Sequence, residues 1–235
     1  MAAPQVDPHS IILDYDPSQR AAFQGVFSPV PQGCFFYFRQ AVMKKIGSLS
    51  NLKTFVQQDM TGWNRMKVGR FVALGLLRPE DVLIGYRLLL EESFSQQHMA
   101  ILQPMVEYFH SKWINEINQN QMNPLSPTFS WNFFLDSIKG GLKITASLDS
   151  WHASFFRYMK GSRPAFGAFF LGLKVQQART EEIFAELSGN NEPQKKKRLA
   201  VDWVPGVEDL LTKKYSVESV VHHLEQVAIA LNLQL

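Results

Sequence analysis

Apolar side chains that recur at helical spacing constrain this chain more than any other feature. From about residue 40 onward, segments 82–90, 101–117, 148–159 and 166–187 each carry such a stripe. The closing segment follows the 3.6-residue period most closely, through Val217, Val220, Val221, Leu224, Val227 and Leu231. A helix with an apolar stripe must bury that stripe against another element. The sequence therefore predicts a mainly α protein, a helical bundle.

Composition excludes several classes of protein. With 235 residues and 46% hydrophobic content, the chain can bury a sizeable core without disulfide bonds. Cys34 is the only cysteine, so no intrachain disulfide can form, and a reducing compartment is indicated. No apolar run approaches the roughly 20 residues of a membrane span, which predicts no membrane partner. The net charge of +3 permits contact with nucleic acid but does not argue for it.

Strand signals are confined to the first 40 residues. Ile11-Ile12-Leu13 is a short β-branched run that stops at Asp14, and a helix is predicted to begin at Pro17. The aromatic run 34–38 is strand-prone, with a helix expected from Arg39. Two strands, at 11–14 and 34–38, are thus predicted as a small residual β element. They must pack on the helices, pair with another chain, or fail to form.

Two carboxylates are the candidate catalytic residues. Asp14 ends an apolar strand, where a rigid sheet edge can fix a catalytic group. Asp149 lies three residues before His152, so the two can touch on a helix. Together the two carboxylates could bind Mg²⁺, which takes oxygen ligands. The alternative is an ordinary turn aspartate at 14 and a first-turn helix aspartate at 149.

Two further features carry alternatives. Cys34 could bind zinc with His110 and His152, but structural zinc sites usually carry two or more cysteines, so a buried, packed cysteine is expected and no metal site is predicted. The basic run Lys195, Lys196, Lys197 and Arg198 follows a polar linker. It is typical of a nuclear import signal or of phosphate contact, and the alternative is a solvated linker.

The order of these pieces resembles the C-terminal part of Mutator-like (MULE) transposases of the type associated with FLYWCH zinc-finger domains. The matching segments are Ile12–Asp16, Ala21–Phe23, Val26–Phe27, Gly33–Gln40, Pro79–Val82, Tyr108–Ile114, Thr145–Phe156 and the basic run with the closing helix. The resemblance covers nearly the whole chain, and it rests on order and spacing rather than on one intact motif.

The resemblance implies an RNase H-like core interrupted by a helical insertion. Residues 1–40 would be the remnant of that core, 41–143 the insertion, 144–190 the C-terminal core helices, and 191–235 the basic linker and closing helix. In such enzymes three carboxylates hold two divalent metals that activate water and then a DNA 3′-hydroxyl. Asp14 would match the second carboxylate, and Asp149 would match the third.

Several positions depart from the family pattern. Asp149 stands where the family has glutamate, Thr145 and Ala146 replace paired asparagines, and Tyr37 replaces the histidine of a Cys-x-x-His pair. The family's first catalytic aspartate and part of its sheet would lie before Met1. An arginine-rich stretch of the family is replaced by residues 115–119, which carry no basic side chain.

The sequence therefore predicts a catalytically inactive, transposase-derived protein. It would act in the nucleus, or else in the cytoplasm, by binding DNA, chromatin or a protein partner, and it would need no cofactor. One alternative is part of a Mg²⁺-dependent DDE-type transposase or nuclease, completed by an N-terminal segment or a partner chain. Another is a helical interaction module with no role on nucleic acid.

Overall fold

The structure is a computed structural model that describes residues 8–28, 31–93, 96–115, 130–138, 146–159, 164–188 and 207–231. It divides into two compact units, one formed by Met1–Ile144 with Asp202–Leu235 and the other by Thr145–Val201.

The protein is mainly helical, as the apolar stripes predict. In the first unit the described strands are β1 (Ile12–Leu13) and β2 (Gln32–Gly33), and its helices are α1 (Pro17–Gln24), α2 (Phe35–Ser48), α3 (Ser50–Gln57), α4 (Trp63–Ala73), α5 (Val82–Ser93), α6 (Gln96–Phe109), α7 (Phe134–Ile138), α10 (Val207–Thr212) and α11 (Val220–Ala230). Short 3₁₀ turns lie at Leu74–Leu76, Pro79–Asp81 and Val217–Ser219, and a π-helical turn spans His110–Ile114. The second unit contains α8 (Ala146–Tyr158) and α9 (Phe166–Ser188).

The two strands pair with each other in parallel. Ile12 lies opposite Gln32 and Leu13 opposite Gly33, and α1 provides the crossover that parallel strands require. The Asp16 side chain caps α1 by accepting a hydrogen bond from the Gln19 backbone at 2.9 Å. The predicted strand–helix order of residues 11–27 is therefore confirmed.

The second predicted strand is wrong in position. β2 ends at Gly33, and the aromatic run that was expected to be a strand is the first turn of α2. Phe35, Phe38, Val42 and Ile46 are all buried, and their spacing of three and four residues is that of one helix face. Burial along this longer stripe outweighs the local strand preference of aromatic residues.

Phe38 lies at the centre of the first unit's core. Its ring contacts Trp113 from the π-helical turn at 5.0 Å, and Trp131 and Phe133 from the segment before α7 at 5.3 and 5.7 Å. The Trp131 indole N–H donates a hydrogen bond to the Trp113 carbonyl at 2.9 Å. This aromatic cluster joins elements that are far apart in sequence.

The closing helix belongs to the same unit. α11 packs on α4 and α5, and the buried Arg70 guanidinium pairs with Glu225 at 2.9 Å. The predicted helical stripe of this segment is confirmed, since Val220, Val221 and Leu224 are buried.

Candidate functional site

Asp14 directly follows β1, at the strand end where the sequence predicts a candidate carboxylate. The residue is half-buried. Tyr15 beside it packs on Gly33 of β2, so closely that a side-chain carbon added at residue 33 would overlap the phenol ring. Tyr15 also contacts the Trp113 ring edge-on at 5.0 Å. The neighbouring tyrosine therefore fixes the backbone that carries Asp14.

The far edge of β2 is covered by the chain itself. The Gly33 backbone N–H donates to the Ser130 carbonyl at 2.7 Å, and the Gln32 side chain donates to the Asn132 carbonyl at 3.0 Å. Asn132 in turn donates to the Leu77 carbonyl at 2.9 Å. This ladder of hydrogen bonds across residues 130–133 was not predicted, because its partners are about 55 and 100 residues away.

The other predicted ligands do not complete a metal site in the described part of the chain. Asp149 lies in the first turn of α8, in the second unit, whereas Asp14 belongs to the first unit. No group of three His, Cys, Asp or Glu side chains that could hold a metal occurs among the described residues. Cys34 is fully buried, as expected of a packed cysteine, and His110 is exposed.

Aromatic side chains follow Asp149 along α8. The Trp151 ring stacks on Phe155 at 5.2 Å with an interplanar angle of 5°, and the His152 ring lies 5.3 Å from that of Trp151. Phe155 is buried, but Trp151 remains 39% exposed. This end of α8 thus presents flat aromatic faces on its surface.

Exposed apolar side chains are concentrated on α8 and α9. Of the seventeen large apolar side chains that are exposed in the described residues, eleven lie on these two helices. We call them the aromatic surface: Leu148, Trp151, Phe156, Tyr158, Phe166, Phe169, Phe170, Leu171, Leu173, Ile183 and Phe184. Exposed apolar side chains in this concentration are typical of an interaction surface, whereas single exposed apolar residues are not.

Only a narrow part of each helix is used to pack the two together. Phe155 contacts the Phe169 ring at 5.9 Å, and Met159 packs directly on Gly172. The sequence predicts the apolar stripes of both helices, but the pattern alone does not show that most of these side chains stay exposed. The Gly- and Pro-containing breaks on both sides of each helix are the signal that sets this pair apart.

A second surface feature combines basic and aromatic side chains. The ammonium groups of Lys45 and Lys112 lie 5.4 and 5.8 Å from the centre of the Tyr108 ring, and Lys112 also lies 5.0 Å from the Trp113 ring. Burial raises the pKa of the Tyr108 hydroxyl. Two cations held on one ring form a positive site on the first unit.

A polar cluster joins the closing helix to the start of α5. The Tyr215 hydroxyl donates to the Asp81 carboxylate at 2.8 Å, the Arg78 guanidinium lies 5.3 Å from the Tyr215 ring, and His223 stacks on that ring at 4.3 Å. Burial is the largest cause that raises the pKa of Tyr215, and Asp81 adds to it. These contacts hold the segment before α11 against the start of α5, so the cluster has a structural role.

Two predictions from the sequence concern features other than these side-chain clusters. Lys195, Lys196, Lys197 and Arg198 lie outside the described residues, so their role stays a prediction. Among the described helices, each is too short or too polar to span a bilayer.

The chain was compared with known proteins. No protein-family model, curated protein or solved structure matches it.

Proposed function

We propose that the chain is a catalytically inactive, transposase-derived protein that acts by binding another protein through the aromatic surface. The observation that carries this proposal is the concentration of eleven exposed large apolar side chains on α8 and α9. Aromatic side chains are enriched in protein–protein interfaces, where they supply large contact areas. The phosphate-lined outside of duplex DNA gains little from such a surface, because affinity for duplex DNA comes mainly from Lys and Arg contacts to phosphate.

The transposase origin rests on the ordered sequence matches. The parallel β1–α1–β2 unit, with Asp14 after its first strand, is compatible with the remnant of an RNase H-like core. Inactivity is proposed from Asp149, which is one methylene shorter than the glutamate of the family, because two-metal catalysis requires all its ligands to converge. Purified protein incubated with DNA and Mg²⁺ or Mn²⁺ is expected to leave the DNA intact. Cleavage that disappears in Asp14→Asn would overturn this part of the proposal.

Site-specific photo-crosslinking tests the binding function. A photoreactive phenylalanine analogue is placed in the full chain at Phe170, on the aromatic surface, or at Glu182, which is exposed on the same helix about 120° around it. We expect a discrete protein adduct in cells from position 170 that is missing from position 182. Equal labelling at both positions, or no adduct at either, would contradict the proposal.

Nucleic acid is a second candidate partner, favoured by the lysine pair on Tyr108. Anisotropy of a labelled duplex would show binding whose affinity falls as salt rises. Removal of either lysine, in Lys45→Ala or Lys112→Ala, is expected to reduce the slope of log K against log salt by about 1. The matched control is Lys213→Ala, which changes an exposed lysine elsewhere on the same unit. Absence of binding at low salt would exclude this candidate.

A further inference from the structure

We propose that the aromatic surface binds a second copy of this chain, through antiparallel pairing of α9 with α9 about Gln177. The inference rests on the proposed protein-binding function and names its partner. A two-fold interface uses the same patch on both copies, so the patch must be complementary to itself. The apolar and charged residues of α9 both satisfy that condition.

Four of the seven exposed apolar residues of α9 form one band along the helix, whereas Phe169, Leu171 and Ile183 lie outside it. At 3.6 residues per turn, Phe166, Phe170, Leu173, Gln177 and Phe184 fall within a band about 60° wide. Phe166 and Phe184 are 82% and 73% exposed, and Phe166 stacks on Phe170 at 6.4 Å. Residues 170 and 184 are equally far from Gln177, so antiparallel pairing about Gln177 brings each Phe170 beside Phe184 of the other copy.

The area of the surface suits a stable dimer. If each aromatic side chain presents about 200 Å² when fully exposed, the seven aromatic residues of the aromatic surface expose about 700 Å². The three phenylalanines of the α9 band supply more than half of that area. A standard interface takes about 800 Å² from each partner, so the three phenylalanines of the band supply about half of this value, and the side chains beside them on α9 would supply the rest.

The charges beside the band select the antiparallel direction. Lys174 and Glu181 lie on the same flank, two turns apart and on either side of Gln177. The Lys174 ammonium lies 5.0 Å from the Phe170 ring, and Glu181 accepts a hydrogen bond from Gln177 at 2.8 Å, so both charged groups lie along the band. In an antiparallel pair the same flanks face each other. Each Lys174 then lies beside Glu181 of the other copy, and the two helix dipoles are opposed.

Sedimentation of the full chain tests the pairing by charge reversal. We expect a dimer at micromolar concentration, weakened about tenfold by Lys174→Glu or by Glu181→Lys, because each change makes both interhelical pairs repulsive. An equimolar mixture of the two variants is expected to regain the affinity of the original chain, since one variant is negative and the other positive at both positions. Glu182→Lys, on the far side of α9, is the matched control and should dimerise unchanged.

Several results would overturn the inference. They are a monomeric original chain, an equal loss of dimer in Glu182→Lys, or no gain of affinity in the mixture. Circular dichroism of each variant establishes that the helices persist, so that a loss of dimer reports on pairing.

The crosslink at position 170 separates this inference from the proposed function. An adduct of twice the chain mass that joins two differently tagged copies supports the pairing. An adduct to a different protein leaves the binding function in place and overturns the self-pairing, as does a crosslink within one chain. Labelling no stronger than at position 182 overturns both.

Discussion

Protonation of His223 is expected to destabilise the protein as the pH falls from about 6.5 to about 4. His223 lies on α11 with 6% of its surface exposed, and its ring stacks on Tyr215 at 4.3 Å. Burial, followed by the charges of Arg78, His222 and Lys213, lowers the pKa of His223 from 6.5 to about 4. The native protein therefore keeps this imidazole neutral over a pH range in which the unfolded chain protonates it.

The size of the effect follows from the two pKa values. Between pH 6.5 and 4 the unfolded chain binds a proton at His223 that the native protein does not, so lowering the pH favours unfolding. At about 1.4 kcal/mol per pKa unit, the loss amounts to about 2 kcal/mol at pH 5 and about 3 kcal/mol below pH 4. Above pH 6.5 both states carry neutral imidazole, and His223 adds no pH dependence there.

Urea unfolding at pH 7.5 and pH 5 measures this loss. The original chain is compared with His223→Gln, in which position 223 no longer titrates. The pH-dependent contributions of all other titratable groups are common to both proteins and cancel in this comparison. We expect the free energy of unfolding to fall by about 2 kcal/mol more in the original chain than in His223→Gln. His110→Gln is the matched control, because His110 is exposed on the same unit and is not among the groups that act on His223, and it should behave like the original chain. An equal fall in His223→Gln would refute the reasoning.

Two further predictions concern the core of the first unit. Gly75→Ala is expected to lower the free energy of unfolding by about 2 kcal/mol, because the added carbon would lie 2.9 Å from the Trp131 carbonyl oxygen. Gly47→Ala, whose added carbon meets no atom within 4 Å, should stabilise α2 by about 0.5–1 kcal/mol. Thermal melts in which both variants shift the melting temperature in the same direction would contradict this. Glu225→Ala is expected to lower the free energy of unfolding by about 3 kcal/mol, because it removes the carboxylate 2.9 Å from the buried Arg70 guanidinium. If urea unfolding shows a loss below about 1 kcal/mol, the ion pair contributes no more than an exposed one.

The helices could be predicted because their signal is local. The stripe of the closing segment specifies both the helix and its buried face, and Val220 and Leu224 are buried accordingly. The strand prediction at 34–38 failed because two local signals competed there. A run of aromatic residues favours a strand over five residues, but Phe38 belongs to a stripe that continues to Ile46, and the longer stripe is decisive.

Features set by distant residues could not be predicted. The backbone of the segment that carries Trp131 pairs with Gly33 and Gly75, and the Trp131 ring packs on Phe38. Each of these contacts joins residues at least 55 positions apart. No local spacing encodes them, because the hydrogen-bonding groups of the backbone are the same in every residue.

The same limit explains why the apolar stripes of the aromatic surface look like core stripes in the sequence. An apolar stripe indicates which side of a helix is removed from water, but it does not indicate which element packs on that side. Phe38 and Phe170 both belong to aromatic stripes. The ring of Phe38 is enclosed by residues of other elements, such as Trp113 and Trp131, whereas Phe170 contacts Phe166 of its own helix and is 51% exposed. A stripe that the rest of its own chain covers forms a core, and one left exposed is open to a partner, which for α9 we propose is a second copy of this chain.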